Sequence, residues 1–226
     1  VKYFRQVLAV AAKDLRAEFR TKESINAAVS FAVVILLLFS FAMDPTGEQI
    51  AEMSGGLLWL VYAFAGALIL NRSFARELPN DCLDVLVASP LPASALFLGK
   101  CVANYLLLVL LEIICLPVFS VFYNITVTRE LLWMMAVFAL ATWGMTVVGT
   151  VFSALTVNLR LRELMLPMLI YPMLIPALMA AMKLTTVLVA GGDIFAEDQV
   201  WLRLLVAFDI IFTSLSVSLI DTVLVG

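Results

Sequence analysis

Apolar residues in this chain gather into long, nearly unbroken runs separated by short polar stretches. The runs are Ile25 to Met43, Gly55 to Leu70, Leu96 to Tyr123, Leu131 to Val157, Leu164 to Met182 and Val200 to Leu224. A helix rising 1.5 Å per residue needs about 20 mostly apolar residues to cross roughly 30 Å of hydrocarbon. The pattern therefore predicts an all-α membrane protein with six transmembrane helices at about 25–43, 55–71, 96–123, 131–157, 164–182 and 200–224, in one domain over 1–226. The second run reaches spanning length only by continuing through Asn71, and the third and last exceed the minimum, which predicts tilt or overhang.

Two stretches depart from this pattern. In residues 1–24, Phe4, Val7, Leu8, Ala11, Leu15 and Phe19 recur at helical spacing while Lys2, Arg5, Lys13, Arg16 and Arg20 collect opposite them. That is the signature of an amphipathic helix lying in the membrane interface, serving either as a topology anchor or as a mechanical link between subunits. The second stretch, NRSFARELPNDCLDVLVASPLPASALFLGK at 71–100, is too polar to enter a bilayer. Asp81 and Asp84 have capping-box spacing with Asp in place of Glu, and Pro90 and Pro92 stop what they start. This leaves a helix from Asp81 to about Ala88, with Leu83, Leu86 and Val87 on one face, Asp84 and upstream Glu77 supplying negative charge, and Ser94 available to cap the next span. Two turns are not stable alone. Acidic residues fit an anionic leaflet poorly, so a groove on a soluble partner is the expected seat, with the chain's own helix ends as the other option.

Composition agrees with a membrane-embedded chain: 64% of residues are hydrophobic, 14% are charged and mean hydropathy is +1.08, against about 45–50% apolar in soluble domains. Charge sets the orientation. Of the fourteen Lys and Arg, only Arg129, Lys183 and Arg203 fall on the side away from the N-terminus, facing Asp44, Glu48, Glu52, Glu130, Asp193, Glu197 and Asp198. The positive-inside rule then makes both termini and the 71–100 segment cytoplasmic, and puts Trp59, Tyr123, Trp133 and Trp201 near the outer interface. The first apolar run leads into no small-residue cleavage site, so no cleavable signal is expected. Cys101 and Cys115 lie about 21 Å apart along one helix, beyond disulfide reach. With no histidine, the chain has no His-based general base, metal ligand or haem ligand. Nothing indicates nucleic-acid binding, and no catalytic residue or metal ligand is assigned.

Three stretches carry a family resemblance: the basic KDLRAEFRTKE, the segment GLLWLVYAFAGALILNRSFARELPNDCLDVLVASPLPASALFLGK, and the proline-rich LMLPMLIYPMLIPALMAA. Together they resemble CcmB, the haem exporter protein B family of cytochrome c maturation, which has the ABC-2-type permease architecture. The matching parts are Arg72 and Phe74, the pattern Asp81, Leu83, Asp84, Leu86, the Pro90 and Pro92 pair, and Pro167, Pro172 and Pro176; Cys82 stands where the family usually has glycine. The resemblance implies that the short cytoplasmic helix is a coupling helix seated in a separate ATPase. Its expected docking residues are Glu77, Asp81, Leu83, Asp84, Leu86 and Val87. Implied partners are a CcmA-like ATPase, CcmC-like and CcmD-like membrane subunits, a CcmE-like haem chaperone and a second copy of the chain, in a bacterial inner membrane. Haem is the implied cargo, either translocated or released with the chaperone, and ATP acts only through the partner. Gly99-Lys100 lacks the flanking residues of a P-loop, so the chain is no ATPase itself.

Glu112 and Asp209 are carboxylates inside predicted spans, at similar depths of about 14–16 Å from the outer surface by helix rise. Similar depth allows one shared cavity, and the functional reading is a polar patch on a transport path or a proton-linked site; hydrogen bonding to a neighbouring Ser, Thr or backbone group, or a position near the interface, is the alternative. Pro167, Pro172 and Pro176 remove backbone donors from the fifth span, which is expected to kink or break and to serve as a flexible gating element. The resemblance implies that its outer half, with part of Lys183 to Gly192, forms separate short helices. Met165, Met168, Met173, Met179 and Met182 read as adaptable packing. An ABC-2-type permease for a lipid, polysaccharide or drug, and a gradient-driven transporter using Glu112 and Asp209, are the competing functions. The lack of two similar halves counts against the second.

Overall fold

A computed structural model of the chain describes residues 2–42, 48–79, 82–124, 131–157, 159, 161–192, 194 and 197–225; the side chains of 48–51, 83, 84, 87, 224 and 225 are not described. Asp44, Asp81, Arg129, Glu130, Arg160 and Asp193 lie outside the described residues. Among those described, eight helices follow one another: α1 (Lys2–Thr21), α2 (Glu23–Ala42), α3 (Glu48–Ala75), α4 (Cys82–Ala88), α5 (Ala93–Tyr123), α6 (Leu131–Thr156), α7 (Arg162–Val189) and α8 (Gln199–Val225). Six of them, α2, α3 and α5 to α8, are long and apolar enough to cross a membrane. The chain is an all-α membrane protein. An even number of spans puts α1, α4, the α6–α7 connector and the end of α8 at one end of the bundle, called here the basic end.

The third element is central, packing against α2, α5, α6 and α7. Its buried positions Leu58, Trp59, Val61, Tyr62, Ala65 and Ile69 recur at helical spacing and fill the main core. Helix α6 sits on its far side and joins it to α8. A smaller cluster of Phe74, Phe97, Cys101, Val147, Ala154, Val157 and Ile220 closes the basic end. Trp59 and Tyr123 are not interfacial anchors, contrary to the sequence expectation. Trp59 is fully buried and donates its indole N–H to Thr185 Oγ1 at 2.9 Å, and Tyr123 donates its hydroxyl to the Leu36 carbonyl at 2.8 Å. A buried indole or phenol needs a partner for its polar tip, and each finds one inside the bundle.

Helix α1 lies along α5, but its inward face is turned from the one the apolar pattern suggested. Val7, Val10, Ala11 and Glu18 are buried, with Asp14 on the same stripe, whereas Phe4, Leu8 and Phe19 are exposed. The close approach depends on Gly99: a Cβ there would lie 2.6 Å from Val10 Cβ and 2.8 Å from the Val7 carbonyl. At the α1–α2 corner Lys22 takes a left-handed conformation with φ 56°. The turn brings the Glu18 carboxylate onto the Ile25 N–H at 2.9 Å, satisfying a donor at the start of α2.

Of the kink or break expected in the fifth span, the break does not occur. Helix α7 runs from Arg162 to Val189 with Pro167, Pro172 and Pro176 inside it, and Lys183 continues the same helix rather than opening a separate one. Its buried stripe of Leu166, Ile170, Leu174, Ala177, Ala181, Leu184 and Leu188 holds it to α3, α6 and α8, while Pro172 and Pro176 fall on the exposed side. Each proline removes one backbone bond, and packing along the opposite face keeps the helix whole. Four of the methionines, Met165, Met168, Met173 and Met179, also face outward.

Candidate functional site

At the basic end, α3 stops at Ala75 and the chain tightens: Glu77 N–H bonds the Phe74 carbonyl at 2.9 Å before Pro79 ends the turn. Helix α4 follows and ends where Ser89 Oγ donates to the Leu86 carbonyl at 2.7 Å, just ahead of Pro90. Its Val85 is 68% exposed, Cys82 and Ala88 are exposed, and Leu86 is half-buried. Leu83, Asp84 and Val87 belong to α4 but their side chains are outside the description, as is Asp81 entirely. Among the described residues α4 makes no substantial packing contact with another helix. Ser94 does not cap α5. Pro92 is the cap residue, its carbonyl accepting the Ala95 and Leu96 N–H groups, and Ser94 Oγ instead accepts a bond from Tyr3 Oη at 3.2 Å.

Glu77, expected to face a partner, turns inward. It is 8% exposed, and its Oε1 accepts bonds from Lys13 and, at 3.1 Å, from Lys100. Lys100 is fully buried and also reaches Asp14 Oδ2 at 3.0 Å, the Ser73 carbonyl at 2.8 Å and the face of Phe74 at 4.9 Å. Burial alone pushes the Glu77 carboxyl up, but the Lys100 charge and the Lys13 bond outweigh it and hold Glu77 below the ordinary range. Burial opposes the charge on Lys13 too, and the Glu77 bond together with Asp14 overcomes it, raising Lys13. Arg76 pairs with Glu18 and donates to Ser24 Oγ at 2.6 Å; burial lowers its pKa despite Asp14 and Glu77 nearby. Arg72 pairs with Glu23. A polar ladder leads inward from there, Asn104 donating to Ser73 Oγ at 2.8 Å and to Thr150 Oγ1 at 2.9 Å.

Deeper in the bundle, Glu112 on α5 accepts a bond from Thr142 on α6 and faces a cavity of about 230 Å³ lined by Tyr105, Leu116, Met134 and Phe138. Asp209 on α8 packs against α6 at Gly144, where a Cβ would lie 2.7 Å from its Oδ1. Among the described residues neither buried Asp209 oxygen has a hydrogen-bond partner, and both lie beside an open groove lined by Trp143, Thr213, Ser214 and Ser218. Among the cavities described, the two carboxylates line different ones, with the Tyr105–Trp143 ring pair, 5.6 Å between centroids, between the cavity and the groove. Thr142 and Gly144 are two residues apart and so point about 200° apart around α6, which places that helix between them. Their depths remain similar, about 16 Å along α5 from Tyr123 and about 15 Å along α8 from Gln199 by helix rise.

The sequence analysis does not single out Lys100, Asp14, Asn104 or Thr142 as site residues, and Lys100 is fully buried rather than a charge flanking the connector. A usable signal was present: Lys100 and Asn104 are one turn apart on an apolar helix, and Thr142, Thr146, Thr150 and Ser153 form a buried polar stripe on α6.

The family model of the CcmB protein matches residues 5–221. Heme exporter protein B of Rhodobacter capsulatus is 31% identical over 176 residues, 78% of this chain and 80% of that protein. Heme exporter protein B of Paracoccus denitrificans is 28% identical over 185 residues, 82% and 84% of the two chains. The protein of the same name from Pseudomonas aeruginosa is 28% identical over 167 residues, 74% of each. With the match running from α1 through nearly the whole of α8, this multi-pass helical membrane protein belongs to the CcmB family.

Proposed function

We propose that this chain is the permease subunit of an ABC-type exporter in cytochrome c maturation, moved by a separate ATPase that grips α4. Relatives aligned over most of their length are named heme exporter protein B, which supports haem as the cargo, whether it crosses the membrane or leaves with a loaded chaperone. The observation that carries the coupling reading is α4 itself: a helix of seven residues that stands at the basic end with Val85 exposed and, among the described residues, no substantial packing on another helix. Two turns of helix need a surface to rest on, and a groove on the ATPase supplies it.

In this reading Leu83, Leu86 and Val87 form the apolar contact, Asp81 and Asp84 orient it, and Glu77 anchors the connector from inside. The whole chain is one permease domain, working as two copies with two ATPase subunits of the CcmA kind. CcmC-like and CcmD-like subunits and a CcmE-like haem chaperone complete the assembly in a bacterial inner membrane. Glu112 and Asp209 mark polar points on the transport path, and Pro167, Pro172 and Pro176 give α7 its capacity to flex.

The test is affinity recovery of the ATPase with tagged chain, together with cytochrome c maturation in cells. Leu86→Asp is expected to weaken the complex by about 2 kcal/mol, roughly thirtyfold in affinity, and Asp84→Asn by less. Undiminished ATPase recovery and normal maturation with Leu86→Asp would refute the coupling role.

A further inference from the structure

We propose that Lys100 is a positioning residue: it ties the start of α5 to the α3–α4 connector and to α1, so that a push on α4 moves these three elements together. This rests on the coupling role of α4. Lys100 and Glu77 are 23 positions apart in the chain, and everything between them, α4 included, forms a loop whose two arms their ion pair holds shut. Without that bracket α4 could swing on its two connectors and leave the spans behind. With it, the loop is a closed lever rooted on α5.

The contacts suit a rigid joint. The Lys100 side chain is wholly inaccessible, and its ammonium has three acceptors, Asp14 Oδ2, Glu77 Oε1 and the Ser73 carbonyl, matching its three donors. An ammonium buried beside an apolar cluster is tolerated only with its partners in place, so the group holds one geometry. The acceptors come from three places: Asp14 from α1, Ser73 from the last turn of α3, Glu77 from the connector. Lys13 bonds the same Glu77 from α1, which makes the interfacial helix part of the joint. A surface ion pair would be screened and interchangeable. This one is neither.

The experiment compares Lys100→Met, Lys100→Arg and the combined variant Asp14→Asn, Glu77→Gln, Lys100→Met in full-length chain co-purified with its ATPase. The combined variant removes the buried ammonium and its two carboxylates together; Lys13, which loses both acceptor charges, has a side chain 46% exposed and can turn to solvent, so no buried charge is left uncompensated. Membrane level, ATPase recovery, ATP hydrolysis and cytochrome c maturation are measured for each. In Lys100→Met and the combined variant, recovery and hydrolysis are expected to persist while maturation per ATP hydrolysed falls about tenfold; Lys100→Arg, which keeps charge and donors, restores most of it. A purely structural role would lower membrane level and recovery along with output. Unchanged maturation per ATP in the combined variant overturns the proposal. Failure of the wild-type chain to recover any ATPase sinks the coupling reading and takes this inference with it.

A second measurement leaves the ion cluster intact. Spin labels at Arg16→Cys on α1 and Pro79→Cys on the connector, in a Cys82→Ser background, report the distance across the joint with and without a non-hydrolysable ATP analogue. A constant distance is expected. A shift of several ångström on adding the analogue shows that the two elements part company and overturns the proposal.

Discussion

At the scale of single residues, the two intramembrane carboxylates stand in opposite circumstances. Glu112 has a donor in Thr142, whereas Asp209 has both oxygens buried and unpartnered. Losing the Thr142 hydroxyl leaves a buried carboxyl unsatisfied, so Thr142→Val should cost about 1–3 kcal/mol in thermal unfolding of the purified chain, with Glu112→Gln costing less because an amide oxygen still accepts. Asp209→Asn should leave stability unchanged or raise it while reducing cytochrome c maturation; normal maturation would make Asp209 a packing residue only. Glu77 adds a pH dependence. Its carboxyl is held below the ordinary value of about 4.3, so its contribution is complete above that value and is lost as pH falls through the depressed one. Lys13 works in the other direction, its contribution fading only as pH rises through a value above the ordinary one. The contribution of this ion cluster to melting temperature should therefore be level across neutral pH and be lost on acidification, and Glu77→Gln should shrink the acid fall. Glu112 and Asp209 were legible in the sequence because a charge inside an apolar run is rare. Their surroundings were not, because Thr142 lies 30 positions from Glu112 and threonine is unremarkable in a span.

At the scale of elements, long runs announced the spans reliably, and their faces were harder to read. The second span appeared short at 55–71 because polar Glu48, Gln49 and Glu52 interrupt the run, yet the helix begins at Glu48. Hydrophobicity marks what enters lipid, and a helix continues past that boundary wherever its backbone bonds can. In α1 the apolar stripe was split between bundle and surroundings, because the bundle offered Lys100 and Arg76 to Asp14 and Glu18, and those pairs set the rotation of the helix. Prolines in α7 point to a kink or break when the helix is considered alone; packing against three neighbours keeps the helix continuous. Close helix approach yields a paired prediction at adjacent glycines of α3. A Cβ on Gly55 would collide with the Met182 carbonyl and Thr186 of α7, whereas a Cβ on Gly56 meets nothing within 4 Å. Gly55→Ala should cost about 1–3 kcal/mol by forcing α3 from α7. Gly56→Ala should be neutral or stabilising by up to about 1 kcal/mol, since alanine restricts the unfolded chain and favours helix. Equal melting temperatures for the two variants would contradict the α3–α7 contact.

At the scale of the whole molecule, the distribution of positive charge and the packing of the basic end make one demand on orientation. Eleven of the fourteen Lys and Arg belong to the basic end or its connectors, and Arg129, Lys183 and Arg203 to the other. Several of the eleven are engaged inside the folded chain, among them Lys13, Arg72, Arg76 and Lys100. Orientation is set while the spans insert, and charge in short loops and beside span ends then holds a segment on the cytoplasmic side. On the proposed reading these residues serve first as retained charges and afterwards as the joint beneath α4. Reporters fused after Gly226 and inserted near Ala88 should both read cytoplasm, and insertions near Glu48 and Glu197 should read the opposite side. The proposed coupling to an ATPase requires that arrangement, since a partner on α4 finds ATP only on the cytoplasmic side. Replacing Arg5, Arg16 and Arg20 with glutamine removes retained charge from α1 without touching Lys13, Asp14, Glu18 or Lys100, and it should raise the fraction of chains misoriented at the first span while properly inserted chains keep ATPase recovery. A reporter near Ala88 reading the outer side in the unaltered chain would remove α4 from reach of any ATPase and bring down the coupling reading and the joint together.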